Sequence, residues 1–136
     1  MKVYTQGSFD ILHRGHINLL NKCNQIGTEV YISLLSDKAY TDYRGYPPAV
    51  SFEERKAVIR ALSNSGIIIE GDNTKTKEEI EKIKPDLIII GSDWIKKDLF
   101  AQYGIDKDYL FDRGISLMYI PYTKGVSSTQ IKEGVK

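Results

Sequence analysis

The stretch Gly7-Ser8-Phe9-Asp10-Ile11-Leu12-His13-Arg14-Gly15-His16 decides how this chain is read. Ahead of it, Val3 to Thr5 make a short strand pattern that stops at Gln6-Gly7-Ser8. Behind it, Ile17, Leu19, Leu20, Cys23 and Ile26 follow at helical spacing up to Gly27. Strand, tight glycine turn and helix form one unit, and the turn lies at the carboxyl edge of the sheet to which the strand belongs. Doubly wound folds bind their ligands at that edge, near the point where the strand order reverses.

The same alternation runs through the rest of the chain. Val30 to Leu35 is a near-continuous apolar run of strand length, as expected of a parallel strand covered on both faces. Residues 36–51 hold Arg44-Gly45-Tyr46-Pro47-Pro48, which cannot sit in a helix interior, and they read as one long loop of the kind that often carries function. Ser51 followed three residues later by Glu54 is a capping-box signature. Val58, Ile59 and Leu62 supply the buried stripe of the helix after it, which runs to about Asn64. Gly66 to Glu70 and Leu87 to Ile90 are the third and fourth strands, around an amphipathic helix from Lys75 to Lys84 with Ile80 and Ile83 inward. A helix over Leu99 to Phe111, a fifth strand from Ile115 to Ile120 and a short last helix from Ser127 to Val135 complete the order. Strands alternating with helices predict right-handed crossovers and an α/β fold: a Rossmann-like, doubly wound parallel sheet of five strands.

At 136 residues the chain has room for one compact domain, spanning 1–136. A composition of 41% hydrophobic and 27% charged residues excludes extended disorder, and no run approaches the ~20 apolar residues of a spanning helix. Lys plus Arg at 19 against Asp plus Glu at 18 leaves a formal charge of +1. No basic field collects nucleic acid, although a local phosphate site stays open. The single Cys23 excludes an intramolecular disulfide and a Cys-rich metal cluster. The apolar run at the start is too short for a signal peptide, so the expectation is a cytoplasmic protein with no membrane partner.

His13 and His16 stand three apart with Gly15 between them. At the start of a helix both imidazoles can face one point, while the glycine lets a bulky ligand approach the backbone. The free N–H groups and the helix dipole add attraction for an anion, of which phosphate is the natural candidate. The bland alternative makes one histidine a cap and leaves the other on the surface. Metal ligation lacks a third ligand, so no residue is assigned to a metal.

At these residues the sequence resembles a known family. Gly7-Ser8-Phe9-Asp10 through His13-Arg14-Gly15-His16 is similar to the G-[TS]-F-D-x-x-H-x-G-H signature of small cytidylyltransferases in the HxGH nucleotidyltransferase superfamily, among which the glycerol-3-phosphate cytidylyltransferases are of this size. Glu53-Glu54-Arg55 resembles the family's E-x-R, Gly91-Ser92-Asp93-Trp94 its G-x-D-W, and Pro121-Tyr122-Thr123-Lys124-Gly125-Val126-Ser127-Ser128-Thr129 its R-T-x-G-[IV]-S-[ST]-[TS]. The matches stand in family order and span nearly the whole chain.

The resemblance implies transfer of CMP from CTP to the phosphate or phosphonate of a small alcohol, with release of pyrophosphate, help from Mg²⁺ bound with the triphosphate, and a homodimeric enzyme. It makes His13 and His16 the catalytic donors to the α-phosphate. Gly7, Ser8, Phe9, Gly15, Gly91 and Thr123 would contact the nucleotide, Asp93 its ribose hydroxyls, and Ser127, Ser128 and Thr129 its β and γ phosphates. Asp10, Lys38, Arg44 and Arg55 would serve the acceptor. The chemistry suits such a site, because a phosphate monoester with a second pKa of about 6 is largely dianionic at neutrality and attacks without a general base. Positioning and charge stabilisation remain for the protein. Two positions depart from the pattern: Tyr122 stands where the family has arginine, and Ser63-Asn64-Ser65-Gly66 where it tends to have R-Y-V-D. Two other functions fit the same motifs, an adenylyltransferase of the superfamily using ATP and a nucleotide-binding regulator without turnover.

Overall fold

The structure is a computed structural model that describes residues 1–62, 66–91 and 99–121. β1 (Lys2–Gly7) leads into α1 (Arg14–Ile26), β2 (Glu29–Leu35), α2 (Asp37–Arg44), α3 (Phe52–Leu62) and β3 (Ile67–Gly71). A 3-10 turn at Asn73–Lys75 then opens α4 (Thr76–Ile83), which is followed by β4 (Leu87–Gly91), α5 (Leu99–Tyr103), α6 (Lys107–Asp112) and β5 (Ser116–Ile120). All strand pairs are parallel and the order across the sheet is β3-β2-β1-β4-β5. This is the expected doubly wound α/β sheet, with its reversal between β1 and β4.

Period-two alternation divides each strand between two cores. Val3, Val30, Ile32, Leu34, Leu87 and Ile89 pack under Leu19, Leu20 and Cys23 of α1 and Ile59 of α3. Tyr4, Ile88 and Ile90 point the other way, against Ile80 of α4, Tyr103 and Leu110. Burial raises the Cys23 thiol to about 12, so it behaves as a small apolar side chain. No helix among the described residues is long and apolar enough to cross a membrane.

The sheet is unevenly joined at its reversal. β1 pairs with β2 along its full length from Lys2 to Gly7, and β4 with β5 from Leu87 to Gly91. Between β1 and β4 the described pairs are Val3 with Leu87 and Tyr4 with Ile88, both in the amino half. The carboxyl ends, Gly7 and Gly91, thus flank a gap in the ladder.

The structure corrects three sequence expectations. Residues 36–51 are not one loop: α2 occupies Asp37–Arg44, begun by the Ser36 hydroxyl accepting from Ala39 N at 3.0 Å and ended by Gly45 at φ 84°. The stripe of α3 is turned, because Ile59 and Arg55 are buried while Val58 and Leu62 are each 46% exposed. The single helix expected over Leu99 to Phe111 is two, broken by Gly104 at φ 68° and restarted by Asp106, whose carboxylate accepts from Tyr109 N. The last helix, Ser127 to Val135, and the end expected near Asn64 lie outside the described residues.

Candidate active site

The turn after β1 is built around a residue in a costly conformation. Phe9 is 2% exposed and adopts φ 49°, a region that bulky side chains rarely enter. Its ring lies over Gly7, where an added Cβ would come within 2.9 Å of Phe9 Cε2. Gly7 is therefore glycine because the ring of Phe9 occupies the space of its side chain. The ring centroid of His16 stands 5.2 Å from that of Phe9, so the strained residue forms one wall of the histidine site.

His13 is the N-cap of α1, and its Nδ1 accepts from Gly15 N at 3.0 Å. His16 Nδ1 accepts in return from His13 N at 3.3 Å, closing a capping box made of imidazoles. The ring centroids are 4.1 Å apart. The capping reading and the catalytic reading, which compete in the sequence, are compatible in the fold. A neutral imidazole whose Nδ1 accepts must carry its proton on Nε2, so capping makes the far nitrogen of each ring a donor. Burial, and then the neighbouring His13, lower His16 to about 4, which keeps it neutral near pH 7. The first turn of α1 holds no acidic side chain to oppose the positive end of the helix dipole. Two imidazole donors beside a helix N-terminus suit an anion that gains charge during a reaction.

Asp10 and Arg55 take positions that the sequence did not suggest. Asp10, 4% exposed, accepts from Val50 N at 2.9 Å, Ala49 N at 3.1 Å and Tyr40 Oη at 3.3 Å. Arg55, 1% exposed, donates through Nε to Val50 O at 2.9 Å and through Nη1 to Ser8 O at 2.7 Å and Leu35 O at 2.8 Å. Its Nη2 meets Asp37 Oδ1 at 2.7 Å. Both side chains, expected at the acceptor, are buried and engaged in tying the loops to one another. Lys38 and Arg44 of α2 are exposed; Lys38 pairs with Asp42 at 2.7 Å, and the Arg44 guanidinium lies 5.4 Å from the Tyr43 ring. Gly15 lies in the first turn of α1 and Gly91 ends β4. Asp93, Trp94, Tyr122, Thr123, Lys124, Ser127, Ser128 and Thr129 lie outside the described residues, as do Ser63, Asn64 and Ser65.

A polar network on the opposite face holds the end of β1. Glu79 of α4 accepts from Tyr4 Oη at 2.8 Å, Ser33 Oγ at 2.6 Å and Asp72 N at 3.2 Å. Gln6 Nε2 donates to Thr76 Oγ1 at 3.0 Å and to Tyr4 Oη at 3.1 Å. Burial, with Tyr103 and Glu79 adding to it, raises the Tyr4 phenol far above its ordinary value, so it remains a donor. Ser33 inside the apolar run of β2 was the available sequence signal, because a polar residue on a strand buried on both faces requires a partner.

The family model for cytidylyltransferase-like proteins matches residues 4–134. Glycerol-3-phosphate cytidylyltransferase of Bacillus subtilis (strain 168) is 30% identical over 98% of this chain and 96% of its own length. The bifunctional protein HldE of Gluconobacter oxydans (strain 621H) is 27% identical over 98% of this chain, a match covering 27% of that larger protein. Among solved structures, the lipopolysaccharide core biosynthesis protein from Thermoplasma volcanium GSS1 superposes with a TM-score of 0.67 at 25% identity, covering 90% of this chain and 98% of that one. With a family model that fits almost end to end and a relative that aligns over nearly the whole of both chains, this protein belongs to the cytidylyltransferase-like family.

Proposed function

We propose that the protein transfers CMP from CTP to the phosphate or phosphonate of a small alcohol. The observation that carries this reading is the imidazole capping box, which sets two Nε2–H donors beside the N-terminus of α1 at the reversal of the sheet. An acceptor oxygen attacks the α-phosphorus in line, the bond from that phosphorus to the bridging oxygen of the β-phosphate breaks, and pyrophosphate leaves with the electron pair. His13 and His16 donate to α-phosphate oxygens as negative charge grows on them, and as neutral rings they do so without giving up a proton. Lys38 and Arg44, exposed on α2, draw in the acceptor anion. Similarity to glycerol-3-phosphate cytidylyltransferases over nearly the full length supports both the nucleotide and the acceptor class. Among the described residues no group of three or more His, Cys, Asp or Glu side chains is placed to hold a metal. A Mg²⁺ that neutralises charge during transfer therefore fits as an ion carried mainly on the triphosphate oxygens. Two copies of the chain form the working enzyme.

Incubation with each of the four nucleoside triphosphates and a panel of phosphorylated alcohols, following pyrophosphate release, tests the reading. Release with CTP and a phosphorylated or phosphonate alcohol is expected. Release with ATP instead makes the chain an adenylyltransferase, and nucleotide binding without release makes it a regulator.

A further inference from the structure

Arg55 is the largest fully buried side chain among the described residues. Its one carboxylate partner among the described residues is poorly placed to compensate a buried charge, since the Asp37 side chain is 51% exposed and the Arg55 side chain is 0% exposed. The rest of the compensation comes from three main-chain carbonyls: Ser8 in the turn before His13, Leu35 at the end of β2, and Val50 in the segment before α3. Asp10 completes the arrangement from the other side. It belongs to the same turn as Ser8, and it accepts from the N–H of the same Val50 whose carbonyl Arg55 holds. The turn that carries the histidines and the segment that follows α2 are thus pinned to each other through both the N–H and the carbonyl of one residue, Val50. A buried ion pair is often no better for stability than apolar residues of the same volume, so stability alone gives little reason for an arginine here.

We propose that Arg55 is a positioning residue of the transfer reaction, holding the acceptor side of the site, α2 and residues 45–50, at a fixed distance from the turn that carries His13 and His16. The inference rests on the reading of the site as a nucleotidyltransferase. In-line attack needs the acceptor oxygen about 3 Å from the α-phosphorus, and a displacement of about 1 Å costs on the order of 10²-fold in rate. The planar fork of arginine reaches three carbonyls in fixed directions, which a lysine ammonium on a flexible stem does not reproduce. The Arg55 side chain is engaged by protein groups at Nε, Nη1 and Nη2, so its loss disturbs geometry across the site more than nucleotide affinity.

Arg55→Lys and Arg55→Gln test this, each measured against the wild type for kcat, for KM of CTP and of glycerol 3-phosphate, and for the melting-temperature rise produced by CTP. The expected result is a kcat lowered about 10- to 100-fold, with KM for CTP and the CTP-induced rise close to wild type and with Arg55→Lys no better than partly active. Lysine serves as the second variant in case glutamine does not fold. Turnover per folded molecule within twofold of wild type in a folded variant overturns the proposal and leaves Arg55 a tie for stability only. A loss confined to KM for CTP overturns it as well, by placing Arg55 on the nucleotide. If the wild type itself transfers no nucleotide to any phosphorylated alcohol, the functional reading fails and this inference falls with it, a result distinct from an active wild type with indifferent variants.

Discussion

Because His13 and His16 accept main-chain N–H groups through Nδ1, an alanine at either position removes a helix cap together with an imidazole. His13→Asn and His16→Gln separate the two effects, since asparagine is a favoured N-cap and glutamine a standard partner at the third helical residue in capping boxes. Both variants are expected to fold and to bind CTP, with kcat lowered about 10²- to 10³-fold each, the usual loss for a donor whose bond strengthens in the transition state. The double variant should lose less than the product of the two, because both rings serve one phosphate. Near-normal turnover in either would return that histidine to capping alone. His16 also carries a pH signature. Its folded value of about 4 lies below its ordinary 6.5, so between those values the unfolded chain binds the proton first. Stability contributed by neutral His16 is therefore complete above about 6.5 and lost as pH falls toward 4, and urea midpoints at pH 7 and pH 5 should differ more for wild type than for His16→Gln. The histidines were legible because their spacing and the glycine between them have a local meaning. Arg55 and Asp10 were not, because an arginine on an amphipathic helix or an aspartate in a turn shows its partners only after distant carbonyls and amides have been brought together.

At the scale of elements, local chemistry predicted where chain direction changes better than it predicted which face is inward. Pro47-Pro48 marked a break correctly, yet the same signal obscured α2, whose start at Ser36-Asp37 and end at Gly45 were available in the sequence. The turned stripe of α3 has another cause: Arg55 takes an inward position that hydrophobic periodicity assigns to an apolar residue, which with Ile59 turns Val58 outward, while Leu62 is the last residue of the helix. The turn between β1 and α1 depends on contact of one glycine with one ring. Gly7→Ala places a methyl within 2.9 Å of a buried phenylalanine ring, so a loss of roughly 1–3 kcal/mol in chemical denaturation is expected, with lowered activity in the folded fraction. Unchanged stability would show that Phe9 can move aside. On α2, Arg44→Ala and Lys38→Ala should raise KM for the acceptor while sparing KM for CTP. The pair between Lys38 and Asp42 is solvent-exposed, so its removal should leave the urea midpoint close to that of the wild type. Wild-type acceptor kinetics in both would make these residues ordinary surface charges.

Across the whole molecule, the alternation of strands and helices identified the sheet, while the gap at its reversal depends on pairing between distant strands and could be seen only in the fold. β3 forms one edge of the sheet, with Ile67 42% exposed, and on α3 Val58 and Leu62 are each 46% exposed, so both elements offer apolar surface. If two copies meet there, light scattering should report a dimer, and Leu62→Glu should shift it to monomer; a wild-type monomer at working concentration removes the homodimer from the proposal. The gap between β1 and β4 bears on the nucleotide. β2 and β3 lie on one side of it and β5 on the other, and the strands flanking it share two residue pairs near their amino ends. A ligand lodged at Gly7 and Gly91 contacts both halves and restores a connection that the ladder lacks, so binding should stabilise the sheet as a whole. A ligand that binds the folded state alone adds about 2.7 kcal/mol at a hundred times its dissociation constant, which for a chain of this length corresponds to a rise of about 9 °C in melting temperature. CTP is expected to give such a saturable rise, larger than that of ATP, GTP or UTP, and hydrogen exchange should slow in both β1 and β4. Protection limited to β1 would place the nucleotide on one half of the sheet, and a larger rise with ATP would replace CTP as the donor.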